Sequence, residues 1–129
     1  MAKIVICEGN PLVMKAMLVS LHGCGHELYA ASDGLEGWAL VLRERPALVL
    51  TDVAMPGLSG FELVDAIHAQ PDLHHVQTAI VSAAAQRADV TAGYSHGVTD
   101  YITKPFVVAD LRDRVQQLVE GRDLALNAP

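Results

Sequence analysis

Short unbroken apolar runs alternate along the chain with longer stretches of helical spacing. Residues 4–7, 47–50 and 79–81 are continuously apolar and end at Glu8, at Thr51-Asp52 and at Ser82. Runs without polar alternation suit strands buried on both faces, as in a parallel sheet. Residues 27–30 and 98–102 are weaker strand candidates. Between these runs lie helix signals. Asn10 can cap a helix with Pro11 in its first turn and Leu12, Val13, Ala16, Met17 and Leu21 on one side. Asp33 with Glu36, and Ser59 with Glu62, are capping-box patterns. The first precedes Leu35, Ala39 and Leu42, and the second precedes Leu63, Val64 and Ile67. Residues 86–94 form a weaker helix, and 108–119 carry Leu111, Val115, Leu118 and Val119 at helical spacing. Strand then helix, five times over, predicts an α/β domain with a parallel sheet and right-handed crossovers.

Composition narrows the classes. The 129 residues allow one domain. With 51% hydrophobic and 19% charged residues the chain is expected to fold rather than stay disordered. Aromatics are 5%, so the core must be aliphatic. A net charge of −6 argues against a nonspecific grip on nucleic acid or an anionic membrane. No apolar run is long enough to span a bilayer, and the first residues lack signal-peptide architecture. Cys7 and Cys24 have no framework spacing and read as reduced thiols of a cytoplasmic protein.

The candidate chemistry lies where the strands end. Ligands of open α/β sheets bind outside the carboxyl ends of the strands. There the chain places Glu8, Asp52, Ser82 and Lys104. Any one of these could be an ordinary cap, turn or solvated charge; their joint placement points to a site. Two carboxylates invite a hard cation such as Mg²⁺. A lysine and a hydroxyl suit a tetrahedral anion, and an aspartate can attack phosphorus to give an aspartyl phosphate.

These residues sit in recognisable surroundings. Asp52-Val53-Ala54-Met55-Pro56-Gly57-Leu58-Ser59-Gly60, Ser82-Ala83 and Asp100-Tyr101-Ile102-Thr103-Lys104-Pro105-Phe106 resemble the receiver domain of bacterial two-component response regulators. The resemblance covers residues 3 to about 120. It implies a flavodoxin-like (βα)5 three-layer sandwich with a parallel five-stranded sheet in the order 2-1-3-4-5. It implies a receiver domain over 1–120 and a tail or linker over 121–129. It assigns the phosphoacceptor role to Asp52, contact with the phosphoryl group to Lys104, and a mobile hydroxyl to Ser82. Tyr101 matches an aromatic switch that turns inward after that hydroxyl moves. Glu8, Asp52 and the Ala54 backbone carbonyl match Mg²⁺ ligands, while Ala83 and the cis-bonded Pro105 match neighbours of the phosphate. The implied partners are a histidine kinase or histidine phosphotransfer protein, with homodimerisation through the fourth helix, fifth strand and fifth helix. No direct contact with nucleic acid or membrane is implied, and no enzymatic activity beyond the domain's own phosphorylation and dephosphorylation.

One position departs from the pattern. The family ends its first strand with two adjacent acids; here the second is Gly9. The expected consequence is weakened Mg²⁺ binding, and the alternative function is a phosphate-independent interaction or dimerisation module. Two enzyme classes fit less well. Dehalogenase-type phosphatases need an acid two residues after the nucleophile, where this chain has Ala54. Nucleotide-binding folds need a glycine-rich turn after the first strand, where it has Gly9 alone. His22-Gly23-Cys24-Gly25-His26 reads as a turn rather than a metal site, because Gly25 falls where the first helix must turn into the second strand.

Overall fold

Strands that bury both faces need helices on both sides, and the computed structural model, which describes residues 1–121, has that arrangement. Strands β1 (Lys3–Cys7), β2 (Glu27–Ala31), β3 (Leu48–Thr51), β4 (Gln77–Ser82) and β5 (Asp100–Thr103) form one parallel sheet in the order β2-β1-β3-β4-β5. Helices α1 (Pro11–Leu21), α2 (Gly34–Glu44), α3 (Gly60–His68) and α4 (Arg87–Ser95) make the crossovers, and α5 (Val108–Val119) follows the last strand. The flavodoxin-like architecture expected from the sequence is therefore the one observed. A short 3-10 turn at Pro71–Leu73, which the pattern did not signal, precedes β4. Apart from Gly121, the tail expected over 121–129 lies outside the described residues.

Alternate residues of the strands feed two cores. Ile4, Ile6, Leu48, Leu50, Ala79, Val81 and Ile102 face α1 and α5, meeting Met17, Leu21, Leu111, Val115 and Leu118. Val5, Cys7 and Val49 face α2 and α3, meeting Val41, Leu63 and Ile67. Each large aliphatic side chain so buried contributes about 1.5–3 kcal/mol. Burial also pushes the Cys7 thiol up to about 12, which fits a core residue and not a reactive thiol.

The caps explain where the helices start. The Asn10 side chain accepts from the Leu12 and Val13 amides at 2.9 and 3.2 Å. Ser59 and Glu62 close a complete capping box. Asp33 makes only half of one: it accepts from the Glu36 amide, while the Glu36 carboxylate turns to the Ser32 hydroxyl. Gly23 and Gly25 both take positive φ between α1 and β2, so the His-Cys-His segment is a turn.

Two expected helix faces are corrected. On α1, Leu12 and Ala16 are exposed, and the inward side is Met17, Ser20 and Leu21. On α2, Leu35 and Leu42 point outward, and the buried residues are Gly34, Gly37 and Val41. The reason is proximity to the sheet. A Cβ at Gly37 would stand 2.5 Å from the Cys7 sulfur, and one at Gly34 would stand 1.8 Å from the Leu58 carbonyl oxygen. Only glycine lets α2 come this close. Gly37→Ala should therefore lower the unfolding free energy by about 1–3 kcal/mol in urea titration, despite alanine's better helix propensity. Stability equal to or above that of the parent would contradict this packing.

Candidate functional site

Parallel strands deliver their carboxyl ends to one edge, and the backbone ladder carries the register past the last strand residues. The Asp52 amide donates to the Cys7 carbonyl at 3.0 Å, and the Lys104 amide donates to the Ser82 carbonyl at 2.9 Å. The loops after β1 and β3 thus begin side by side, as do those after β4 and β5. There the Lys104 ammonium bonds both carboxylates, to Asp52 Oδ2 at 2.9 Å and, more closely still, to Glu8 Oε1. The side chains of Glu8, Asp52 and Lys104 are only 3%, 16% and 14% exposed, so this is a largely dehydrated triad. Every remaining carboxylate oxygen has a backbone donor. Glu8 Oε2 accepts from the Asn10 amide at 2.9 Å, and Asp52 Oδ1 accepts from the Val53 amide at 2.7 Å.

Burial works to lower the Lys104 pKa, but the bonds and charges of Glu8 and Asp52 overcome it and the net shift is upward. Close packing also fixes the loop after Asp52. A Cβ at Gly60 would stand 2.0 Å from the Asp52 carbonyl oxygen, so the glycine that ends the Asp52–Gly60 segment is needed for α3 to start there.

Three of the four charged or polar residues expected at this edge therefore meet. Ser82 does not join them directly. Its hydroxyl accepts from the Ala84 amide at 3.1 Å, within the loop between β4 and α4. Tyr101 joins Ser82 there: its hydroxyl donates to the Ala84 carbonyl, and its ring is 6% exposed. Burial is the largest cause of a raised Tyr101 pKa. Ala83, Lys104, Pro105 and Phe106 line a surface cavity of about 540 Å³ together with Leu12 and Val13 of α1. The Lys104–Pro105 bond is cis.

The residues that the resemblance assigns to a divalent cation are Asp52, Glu8 and, through its backbone carbonyl, Ala54. Among the described residues no group of three or more His, Cys, Asp and Glu side chains is placed to hold a metal ion. Two positions carried no polar signal in the sequence, the Asn10 and Val53 amides, because every residue but proline has one.

The family pattern for the response regulator receiver domain matches residues 4–116. Protein PilH of Pseudomonas aeruginosa is 31% identical over 121 residues, which are 94% of this chain and 100% of PilH. The DNA-binding dual master transcriptional regulator RpaA of Synechocystis is 28% identical over 95% of this chain but only 51% of its own length. The chain thus spans all of one such relative and about half of another. Among solved structures, the receiver domain of the Pseudomonas aeruginosa sensor histidine kinase PA1611, with a magnesium ion in its active-site cleft, superposes with a TM-score of 0.84 at 26% identity. That match covers 92% of this chain and 98% of the other. This chain belongs to the receiver domain family of two-component signalling.

The sign of the Lys104 shift gives a test. A pKa raised on folding stabilises the fold at every pH below the ordinary lysine value of 10.5, and that stability is lost as pH rises through the higher folded value. Lys104→Met should destabilise the chain by about 1–3 kcal/mol at neutral pH, by leaving two buried carboxylates unpaired. As pH is raised from neutrality, the gap between the two proteins should shrink only in strongly alkaline buffer, measured by urea unfolding. A gap that closes near neutrality would contradict the assignment.

Proposed function

We propose that this chain is a phosphoacceptor domain of a two-component phosphorelay, taking its phosphoryl group on Asp52 from a histidine kinase or histidine phosphotransfer protein. The observation that carries this reading is the half-buried Lys104 ammonium held against Asp52 at the ligand edge of the sheet, in a chain of the receiver family. An Asp52 carboxylate oxygen attacks the donor phosphorus and forms a new P–O bond. The donor's own bond to phosphorus breaks, and its electron pair leaves with the imidazole, or with acetate when acetyl phosphate is the donor. Lys104 offers charge to the equatorial oxygens as they pass to Asp52. Ser82 is one residue from the small Ala83 and bonded only to a loop amide, so its hydroxyl is available to the same oxygens.

Mg²⁺, when bound, would neutralise further phosphoryl charge. Asp52 and the Ala54 carbonyl would hold it, with Glu8 contributing only at the expense of its bonds to Lys104 and Asn10. We therefore assign the chain a weakened Mg²⁺ site. A Cβ at Gly9 meets only the Ser32 carbonyl oxygen, at an ordinary 3.6 Å, so an acidic side chain has room there. Residues 1–120 are the functional unit in this reading. It acts in the cytoplasm as a signalling domain, with no chemistry beyond its own phosphorylation and dephosphorylation. Its outputs are protein surfaces, including homodimerisation through α4, β5 and α5, and it makes no direct contact with nucleic acid. Gly9 favours one second reading, a phosphate-independent interaction module on the same fold.

Incubation with acetyl phosphate and Mg²⁺, followed by intact mass, separates the two. The expected result is one added phosphoryl group in the parent and none in Asp52→Asn; no adduct at any Mg²⁺ concentration would select the interaction module. Gly9→Asp should tighten Mg²⁺ binding by about tenfold or more, read by fluorescence titration, through one added carboxylate ligand. Unchanged affinity would overturn the role given to Gly9.

A further inference from the structure

The stripe of Leu35, Ala39 and Leu42 on α2 is left uncovered by the described residues. Leu35 is 60% exposed and Leu42 is 48% exposed, with Ala39 exposed between them. Positions 35, 39 and 42 fall within about 60° of one another around a helix, so the three make one apolar seam. Single exposed apolar residues are ordinary, but a seam at helix-packing spacing is what a second helix covers. The chain cannot turn it inward, because Gly34 and Gly37 seat the other side of α2 against its neighbours. Leu35 is also steadied by the loop after β3, where a Cβ at Gly57 would stand 3.2 Å from Leu35 Cδ1.

Charge edges the seam in a particular way. Glu36 and Arg43 are exposed and seven residues apart, so they lie along the same flank, at opposite ends of it. Half-buried Trp38 borders the other flank. Glu36 Oε2 takes the Ser32 hydroxyl and Arg43 Nε bonds Glu44, while Glu36 Oε1 and the terminal Arg43 nitrogens have no partner among the described residues. Consider two copies related by a two-fold axis that crosses α2 at the seam. Their helices run antiparallel, and the same flank of each copy lies on one side with its ends exchanged. Glu36 of each copy then meets Arg43 of the other, and Leu35 meets Leu42. A parallel pair would set both charges against the Trp38 flank instead.

We propose that the outer face of α2 is a self-recognition surface, on which a second copy of this chain packs antiparallel through Leu35, Ala39 and Leu42, with two Glu36–Arg43 pairs along its edge. Such a contact is isologous and closes at two copies. It is separate from α4, β5 and α5, since β2, which leads into α2, and β5 are opposite edges of the sheet. It does not rest on the phosphoacceptor reading. A contact built on one 11-residue helix is small, so the dimer is weak and depends on concentration.

Sedimentation of the full chain over a range of concentrations tests this, with charge reversal as the probe. The parent should pass from monomer to dimer as concentration rises. Glu36→Lys alone and Arg43→Glu alone each set like charges together at both ends of the edge, and each should weaken association about tenfold or more. An equal mixture of the two variants should dimerise again, one copy of each, because every pair is then of opposite charge. That recovery also shows that both variants fold. A parent that stays monomeric up to about 1 mM would overturn the proposal and leave the stripe to a different protein. Variants that associate as the parent does, which would put the dimer on another face, or a mixture that stays monomeric, would equally overturn it.

Discussion

Two carboxylates, one ammonium and almost no water form the constraint on which this molecule turns. Glu8 and Asp52 leave different strands and converge where their charges repel. Lys104, from a third loop, bonds both and leaves a formal charge of −1 across the triad. Desolvation makes such an arrangement costly unless every carboxylate oxygen finds a donor. That condition is met by the amides of Asn10 and Val53. Asn10 is also the cap of α1, so the charge cluster and the first helix are fixed by one short turn.

The sheet makes this convergence possible. Parallel strands in the order β2-β1-β3-β4-β5 put β1, β3 and β4 at the centre, with β5 one place further. Ladder bonds that continue to Asp52 and Lys104 hold their backbones before any side chain acts. Glycine then sets how tightly the layers close on the site: Gly37 brings α2 against Cys7, and Gly60 starts α3 against the Asp52 carbonyl. From the acidic edge a second line of contacts runs through Ser82, Ala84 and Tyr101 to α4. The site and the helix that would report on it are thus joined through one loop.

Much of this was legible in the order of residues. Unbroken aliphatic runs marked β1, β3 and β4, because strands buried on both faces are mostly apolar. Asn10-Pro11 and the Ser59–Glu62 box marked α1 and α3, since orphan amides at helix starts demand such partners. Glu8, Asp52 and Lys104 were legible as a cluster because each follows a strand. The inward face of α2 was not. Leu35, Ala39 and Leu42 have helical spacing, yet Gly34 and Gly37 decide which side meets the sheet, and a glycine carries no hydrophobic signal. Gly93 of α4 was invisible for the same reason: a Cβ there would stand 2.7 Å from the Tyr101 ring. The bonds that Ser82 makes inside its own loop were equally hidden, because a hydroxyl at a strand end can turn toward the site or toward the backbone.

The central claim is that this charge balance exists to receive a phosphoryl group on Asp52 rather than to hold the strand ends together. Borohydride reduction of the chain after exposure to a phosphoryl donor, followed by peptide sequencing by mass, tests it most directly. An acyl phosphate is reduced to an alcohol, whereas a free carboxylate is untouched. The account predicts homoserine at position 52 and unmodified glutamate at position 8. An intact Asp52, or a reduced side chain at any other acid, would contradict it.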